Sequence, residues 1–220
     1  MSYSRLRDLI LADILAGVLR PGEKLKVSAL ARRYGSSTIP VREGLQQLQG
    51  EGVVVFEPNR GASVRAIDAR LIEDIHDIRA MIEPYLMQGF VRRCVDTDID
   101  ALDALQRRYD TAAAAGDFSI TGDLNRTFHA ICYDGHHNGE AVALAYRHSG
   151  LIRVLSDRFP MTRARAQHIC REHWAIIGAA RRRDEEMAAR LVSDHVRNAG
   201  RHLIETMRAA ARREVEILPA

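Results

Sequence analysis

The stretch GSSTIPVREGLQQLQGEGVVVF, residues 35–56, decides the fold of the N-terminal part of the chain. Val41, Leu45 and Leu48 recur at spacings of four and three residues, which is typical of the buried face of an amphipathic helix. Serine and threonine before this run are favoured at helix N-termini, and Gly50-Glu51-Gly52 ends the pattern. The run of β-branched and aromatic residues that closes the stretch predicts a strand.

Two further helices and a hairpin surround this predicted helix. Apolar residues recur at helical spacing over residues 4–17, and a second, shorter helix is predicted over residues 28–35. A polar turn with proline and glycine follows the strand and leads into a second short run at residues 62–64. Two short helices joined by a tight turn and followed by a hairpin predict a winged helix-turn-helix domain over residues 1–66, with its third helix entering the major groove of DNA.

Polar and basic side chains lie where such a domain contacts DNA. Thr38 and Arg42 are one helical turn apart and off the apolar face, so both are predicted to face outward. An arginine in this place can donate two hydrogen bonds to guanine or to phosphate. Arg32 and Arg33 end the second helix within reach of phosphates, and Arg60-Gly61 places a cation and a flexible backbone at the tip of the wing.

These residues resemble the GntR family of bacterial transcription regulators. The resemblance rests on Gly17-Val18-Leu19-Arg20-Pro21-Gly22, Pro40-Val41-Arg42-Glu43-Gly44-Leu45, Glu51-Gly52 and Arg60-Gly61. It implies that the chain binds double-stranded operator DNA through the residues above, together with Ser37 and Pro40 of the same motif. The family usually has an arginine where this chain has Thr38, and this departure changes the expected operator sequence.

Charge and composition agree with a DNA-binding part followed by a second part. Residues 1–66 contain ten Lys and Arg against six Asp and Glu, a net charge of +4, and the remainder has a net charge of −1. Such asymmetry is expected where one part meets a polyanion. The three cysteines form no C-x-x-C pair or disulfide framework, and no run approaches the ~20 apolar residues of a membrane span. We therefore expect a cytoplasmic protein with no membrane partner.

The sequence from residue 67 onward reads as helix, with no strand-like alternation. Glycines, prolines and charged turns predict about six helices, over residues 68–94, 98–115, 119–134, 139–158, 163–182 and 184–213. Pro84 should kink or break the first of them. We therefore predict a mostly α protein in which residues 67–220 form an antiparallel all-helical bundle.

Three of the nine histidines have a spacing that brings them together. His173 and His195 lie at similar distances before and after the turn at residues 183–184, so in an antiparallel helix pair they reach the same height. Asn125 and His129 are four residues apart on one face of an earlier helix. One amide and three imidazoles are suitable ligands for a divalent cation such as zinc, nickel or manganese, with positions left for water or a small ligand.

This half resembles the FCD effector domain of the FadR-type branch of the same family. The matching segments are Ile78 to Pro84, Asn125 to His129 and Glu172 to Ile177, with Asp184 and His195. The resemblance implies a homodimer, in which Arg79 can hold a carboxylate of a small effector. It also implies that the divalent metal is bound by four residues, of which the first is most often Asp in the family: Asn125, His129, His173 and His195.

The role of Arg79 has two interpretations from the sequence. Arg79 faces the bundle if Ile75, Ile78 and Ile82 do, and it can then reach an effector carboxylate through a paired hydrogen bond. A salt bridge to Glu83, one helical turn later, is the alternative.

The sequence thus predicts a DNA-binding transcriptional regulator, not an enzyme, whose operator affinity is controlled by a small carboxylate metabolite bound near the metal. Asn198, three residues after His195 on the same face, is a further candidate effector residue. A regulator that responds to the metal itself is one alternative. A metal-dependent hydrolase is another, because three histidines with open coordination also hold hydrolytic metals, although Glu172 is the only candidate general base beside the trio.

Overall fold

The computed structural model describes residues 3–57, 61–159 and 161–217. Over these ranges the chain is mostly helical with one small sheet, as predicted. In chain order the elements are α1 (Tyr3–Leu15), β1 (Lys24–Leu25), α2 (Val27–Arg33), α3 (Thr38–Gly50), β2 (Val54–Glu57), β3 (Gly61–Val64), α4 (Ala69–Arg93), α5 (Asp96–Ala115), α6 (Phe118–Tyr133), α7 (Gly139–Tyr146), α8 (Ser149–Arg158), α9 (Arg163–Arg181) and α10 (Glu185–Ile217).

The chain divides into two compact units. Unit 1 lies within residues 1–71 and 147–158, and unit 2 within residues 72–146 and 159–220. This division differs from the predicted one, with its break at residue 66, because α8 belongs to unit 1. Helix α8 buries Leu151 and Leu155 and packs on α1. The predicted helix over residues 139–158 is therefore two helices, one in each unit.

Unit 1 has the predicted winged helix-turn-helix. The inward face of α3 is confirmed, because Val41, Leu45 and Leu48 are fully buried, and α3 packs on both α1 and α2. Strands β2 and β3 form the predicted hairpin, with Val54 opposite Val64. The two-residue strand β1, which no sequence pattern indicated, pairs with the other edge of β3.

Unit 2 is the predicted all-helical bundle. Helix α5 packs on both α6 and α9, and α9 packs on α10. Its core contains large aromatic residues of which no more than 1% is exposed, among them Phe90, Tyr109 and Phe128. None of the helices in the described ranges is long and apolar enough to cross a membrane.

Pro84 lies inside α4 without ending it. A proline cannot donate to the carbonyl four residues earlier, which here belongs to Ala80. The hydroxyl of Ser193 on α10 donates to that carbonyl at 3.3 Å. Since the freed acceptor has a partner from another helix, α4 runs through its 25 residues instead of breaking.

Candidate metal centre and DNA-binding face

Three histidines from three helices of unit 2 meet at one place, and we call them the histidine trio. His129 lies on α6, His173 on α9 and His195 on α10, and one ring nitrogen of each lies within 4.8 Å of the others. All three are buried, with 5% or less of each residue exposed. The Nε2 atoms of His129 and His195 are 3.3 Å apart. The predicted convergence of the trio is confirmed.

Two of the three rings are oriented by polar partners. The Nδ1 of His173 donates to Gln106 Oε1 at 2.7 Å, and the Gln106 amide donates to Asp110 at 2.7 Å. The Nδ1 of His195 bonds to Glu172 Oε2 at 2.9 Å. A proton held on Nδ1 leaves the lone pair of Nε2 for a metal. His173 Nε2 is buried and has no hydrogen-bond partner within the described ranges, so it is available as a ligand atom.

The third ring is held by a chain of contacts that ends at an arginine. His129 Nδ1 lies 3.3 Å from the hydroxyl of Tyr133, which donates to the buried Glu83 at 3.0 Å. Arg79 donates through Nε to the same carboxylate at 2.6 Å. The salt bridge that the sequence left as an alternative is therefore present. The condition for an inward-facing Arg79 is met in part, because Ile75 is buried whereas α4 turns Ile78 outward and leaves it 44% exposed.

Burial keeps metal-facing rings neutral, which is the form that binds a cation. Burial lowers the pKa of His129 to about 3, against the opposing effect of a neighbouring carboxylate. Burial and then the two neighbouring rings lower the pKa of His173 well below its usual value. Burial by itself raises the pKa of Glu172, but its hydrogen bond with His195 and the charge of Arg165 outweigh burial and lower that pKa to about 2.

Asn125 supplies an oxygen in the same helix as His129. Its Oδ1 is buried and has no hydrogen-bond partner among the residues described, which is uncommon for a buried acceptor. Asp123, which the helix geometry places off this face, is exposed and pairs with Arg126. The unpartnered oxygen of Asn125, the unpartnered Nε2 of His173 and the converging rings fit a divalent cation with nitrogen and oxygen ligands.

Glu172 is the centre of a polar cluster beside the trio. Besides His195, it accepts from Asn198 and from Arg165 at 3.1 Å, and His168 Nε2 lies 3.2 Å from its Oε1. The predicted effector residue Asn198 is thus directed toward a carboxylate of the protein itself. The sequence offered no signal for the roles of Gln106 and Arg165, because Gln106 lies 67 residues from the histidine it orients.

The predicted DNA-contacting face of α3 is exposed to solvent. Thr38 and Arg42 are both exposed, Ser37 is the N-terminal cap residue with extended backbone, and Pro40 lies in the first turn. Sequence reasoning did not single out Ile39, which is 67% exposed on the same turn. An apolar side chain this exposed at the start of a recognition helix is unexplained by the packing of unit 1.

The remaining predicted DNA contacts lie on α2 and on the wing. Arg32 is exposed at the end of α2. Its neighbour Arg33 pairs with Asp13 of α1 at 2.9 Å. Gly61 begins β3 with a φ of 79°, a left-handed conformation that favours glycine, and Arg60 lies outside the described residues.

The chain combines a winged helix-turn-helix, whose recognition face is exposed, with a helical unit that contains a buried cluster of histidines. This combination is that of a DNA-binding transcriptional regulator. Residues 2–64 match the family of bacterial regulatory proteins known as the gntR family, and residues 74–198 match the FCD domain. The chain therefore belongs to the GntR family and carries an FCD effector-binding domain. It is a regulator and not an enzyme.

Two relatives match over most of their length. The chain is 25% identical over 203 residues to the uncharacterized HTH-type transcriptional regulator YdhC of Bacillus subtilis, covering 91% of this chain and 88% of the relative. It is 25% identical over 199 residues to the Nta operon transcriptional regulator of Aminobacter aminovorans, covering 87% and 89%. The solved structure of McbR/YncC from E. coli has the same fold, with a TM-score of 0.67, 19% identity and coverage of 93% and 98%.

Proposed function

We propose that the protein binds operator DNA as a homodimer in the cytoplasm, and that a small carboxylate effector bound beside a divalent metal changes its operator affinity. The observation that carries the proposal is the convergence of three buried imidazoles, each backed by a polar partner. One helical turn before His129, Asn125 adds a buried oxygen that has no hydrogen-bond partner among the described residues. Zinc, nickel and manganese accept such ligands and leave coordination positions for a further molecule.

Different residues would bind the metal and the effector at this site. The trio and Asn125 hold the metal, and the metal when bound supplies positive charge that attracts a carboxylate. Arg79 is anchored through Nε to Glu83, so its two terminal nitrogens can turn to an effector carboxylate as a fork. Asn198 and His195 bond to the same Glu172 carboxylate, so movement of that carboxylate on effector binding would also move the side chain of Asn198.

The DNA contacts follow from the exposed face of α3. Arg42 donates to a guanine edge or to phosphate in the major groove, beside Thr38 and the Ser37-to-Pro40 turn. Ile39 offers an apolar contact to a thymine methyl group, which explains its exposure. Arg32, Arg33 and the wing around Arg60-Gly61 contact the backbone and fix the register of the domain.

A two-fold dimer would give a near-palindromic operator with half-sites on one face of the duplex. In unit 2 the face of α4 that carries Ile78, Met81 and Tyr85 supports this, because the three residues follow each other at helical spacing and are 44%, 67% and 39% exposed. Burial of this stripe against a second copy removes apolar surface from water. Met81→Glu should therefore lower the dimer fraction in sedimentation, and an unchanged dimer would exclude this face.

The decisive experiment measures operator binding with metal and acids varied separately. An operator selected from random DNA is titrated by fluorescence anisotropy with zinc-loaded and chelator-treated protein, with and without a panel of hydroxy acids, sugar acids and dicarboxylates. We expect an acid to change operator affinity by about 5–150-fold at saturating zinc. A change produced by zinc alone, with no effect of any acid, would instead support a metal-responsive regulator.

The same assay tests the orientation of α3. Arg42→Ala should cost about 1–3 kcal/mol and relax the preference for one base. Arg32→Ala is the matched control, because loss of a phosphate contact weakens all sequences alike and lowers the salt slope by about one unit. An Arg42→Ala variant with unchanged operator affinity would contradict the assigned face.

A further inference from the structure

Arg165 is a buried cation with an unused hydrogen-bond donor. It lies in the first turn of α9, and only 7% of its side chain is exposed. Its Nη1 donates to both oxygens of Glu172, at 3.1 and 3.3 Å, while its buried Nη2 has no hydrogen-bond partner in the described ranges. Buried guanidinium groups are normally fully paired, so a donor left open in this place calls for a ligand.

Arg165 is linked to the candidate metal centre through Glu172. The carboxylate that Arg165 holds is the same one that orients His195, whose Nε2 faces the rest of the trio. The positive charge of Arg165 also contributes, after burial and the neighbouring rings, to the lowered pKa of His173. His202 Nε2 is another buried atom that has no hydrogen-bond partner among the described residues, and the pKa of its ring is lowered by burial and then by Arg165.

The charges of the buried groups identify the class of ligand. Arg165 is neutralised by Glu172, and Arg79 by Glu83. Imidazoles bind a metal in their neutral form, so the trio would contribute no charge to an occupied site, and Asn125 contributes none either. A divalent cation in this setting adds two positive charges, which no unpaired carboxylate in direct contact with the trio balances, and buried charge is costly unless it is paired. One carboxylate balances half of this charge, whereas a dianion balances all of it.

We propose that Nη2 of Arg165 binds a second anionic group of the effector, and that the effector is therefore a small dianionic acid of the dicarboxylate type. The inference rests on the proposed function, since the first carboxylate is held at the metal and Arg79. Arg165 acts here as a ligand-binding residue that determines specificity between acids with one and with two anionic groups. Glu172 keeps its guanidinium in place by occupying Nη1.

The test compares acids on zinc-loaded full-length protein by isothermal titration calorimetry. Acetate probes the first carboxylate, and malonate and succinate probe the second at two spacings. We expect the better dicarboxylate to bind the wild type about tenfold to hundredfold more tightly than acetate, which is the range for a hydrogen bond between charged groups. Arg165→Lys should lose most of this advantage, because lysine can still pair with Glu172 but lacks the second donor of the fork.

Three controls separate this inference from other causes. Arg171→Gln, on the exposed face of the same helix, should keep the full preference for the dicarboxylate. Zinc content and acetate affinity should be the same in Arg165→Lys and wild type, which excludes a damaged metal centre. Asn125→Asp should reduce the preference for the dicarboxylate over acetate, because the added carboxylate balances one of the two positive charges of the metal.

Two results would overturn the assignment of Arg165. One is a wild type that binds neither dicarboxylate more tightly than acetate, and the other is an Arg165→Lys variant that keeps the full preference. The proposed function fails by a different readout. If the dicarboxylate binds with the expected dependence on Arg165 but leaves operator anisotropy unchanged, the binding site stands and the regulatory role is contradicted.

Discussion

Gln106 tests whether the buried partners of the trio serve a metal. Its side chain is fully buried, its oxygen accepts from His173 at 2.7 Å and its amide donates to Asp110 at 2.7 Å. Gln106→Leu keeps the approximate volume but removes the acceptor, so His173 is no longer held with its proton on Nδ1 and its lone pair on Nε2. Loss of such an outer partner typically lowers metal affinity by about 10–100-fold, or about 1.4–2.7 kcal/mol.

The assay is competition for zinc against a chelating indicator, with Gln106→Glu as the matched variant. Glutamate retains an oxygen opposite Nδ1 and can share a proton with Asp110 in place of the amide donor. This variant should therefore bind zinc nearly as tightly as the wild type, while Gln106→Leu should not. The metal-free Gln106→Leu protein should also lose about 1–3 kcal/mol of unfolding free energy, because His173 and Asp110 each lose a buried partner. Equal zinc affinity in Gln106→Leu and wild type would show that Gln106 does not orient His173 for a metal.

Three further predictions concern charge, packing and pH. Asn125→Asp should tighten zinc binding by adding an anionic ligand, whereas Asp123→Asn, which changes an exposed residue paired with Arg126, should leave zinc affinity unchanged in the same competition assay. Gly200→Ala should lower the unfolding free energy by about 1–3 kcal/mol, because the added methyl group would come within 2.7 Å of the His76 ring. Gly122→Ala has room for the methyl group and should raise the unfolding free energy by about 0.5–1 kcal/mol. Urea titrations of the two variants measure both changes. Burial lowers the pKa of His76 to about 4, so between pH 6.5 and 4 the unfolded state binds the extra proton and acidification destabilises the fold. Replacing His76 with Phe should make the loss of unfolding free energy shallower by about 1.4 kcal/mol per pH unit in metal-free protein, and a slope equal to that of the wild type would contradict the assignment.

Local patterns were sufficient for the parts of the fold that depend on neighbours in the sequence. The spacing of Val41, Leu45 and Leu48 predicted the buried face of α3, and all three are fully buried. Two members of the trio were also predictable from spacing, because the turn between α9 and α10 sets His173 and His195 at one height. An α-helix has a fixed rise and rotation per residue, so spacing determines which side chains share a face or a height. His129 was joined to them by its place on one face of its helix with Asn125 and by the resemblance to the FCD domain.

Features that depend on tertiary contacts could not be predicted in this way. Strand β1 has two residues and exists because β3 offers an unpaired edge. The break between α7 and α8 arises because Leu151 and Leu155 are buried in unit 1 and not in the bundle. Ile78 has the apolar character of a core residue, yet the rotation of α4 leaves it exposed.

The partners of the trio belong to the same category. In the sequence Glu172 is a polar residue of a predicted helix like many others. Only the fold brings it to His195, which is 23 residues away. The sequence shows that Glu172 is adjacent to His173, but it does not show that the Glu172 carboxylate bonds to the ring of His195 on another helix. Hydrogen bonds between helices can therefore be identified only from the structure.

Measuring the metal content of the protein shows whether the trio holds a divalent cation. Protein purified without a histidine tag is reconstituted separately with zinc, nickel and manganese, freed of excess ion, and analysed by inductively coupled plasma mass spectrometry beside His173→Ala. We expect about one equivalent per chain for at least one ion in the wild type and almost none in the variant. Less than about a tenth of an equivalent for all three ions in the wild type would contradict it, because the trio would then be a structural cluster of buried histidines and not a metal centre.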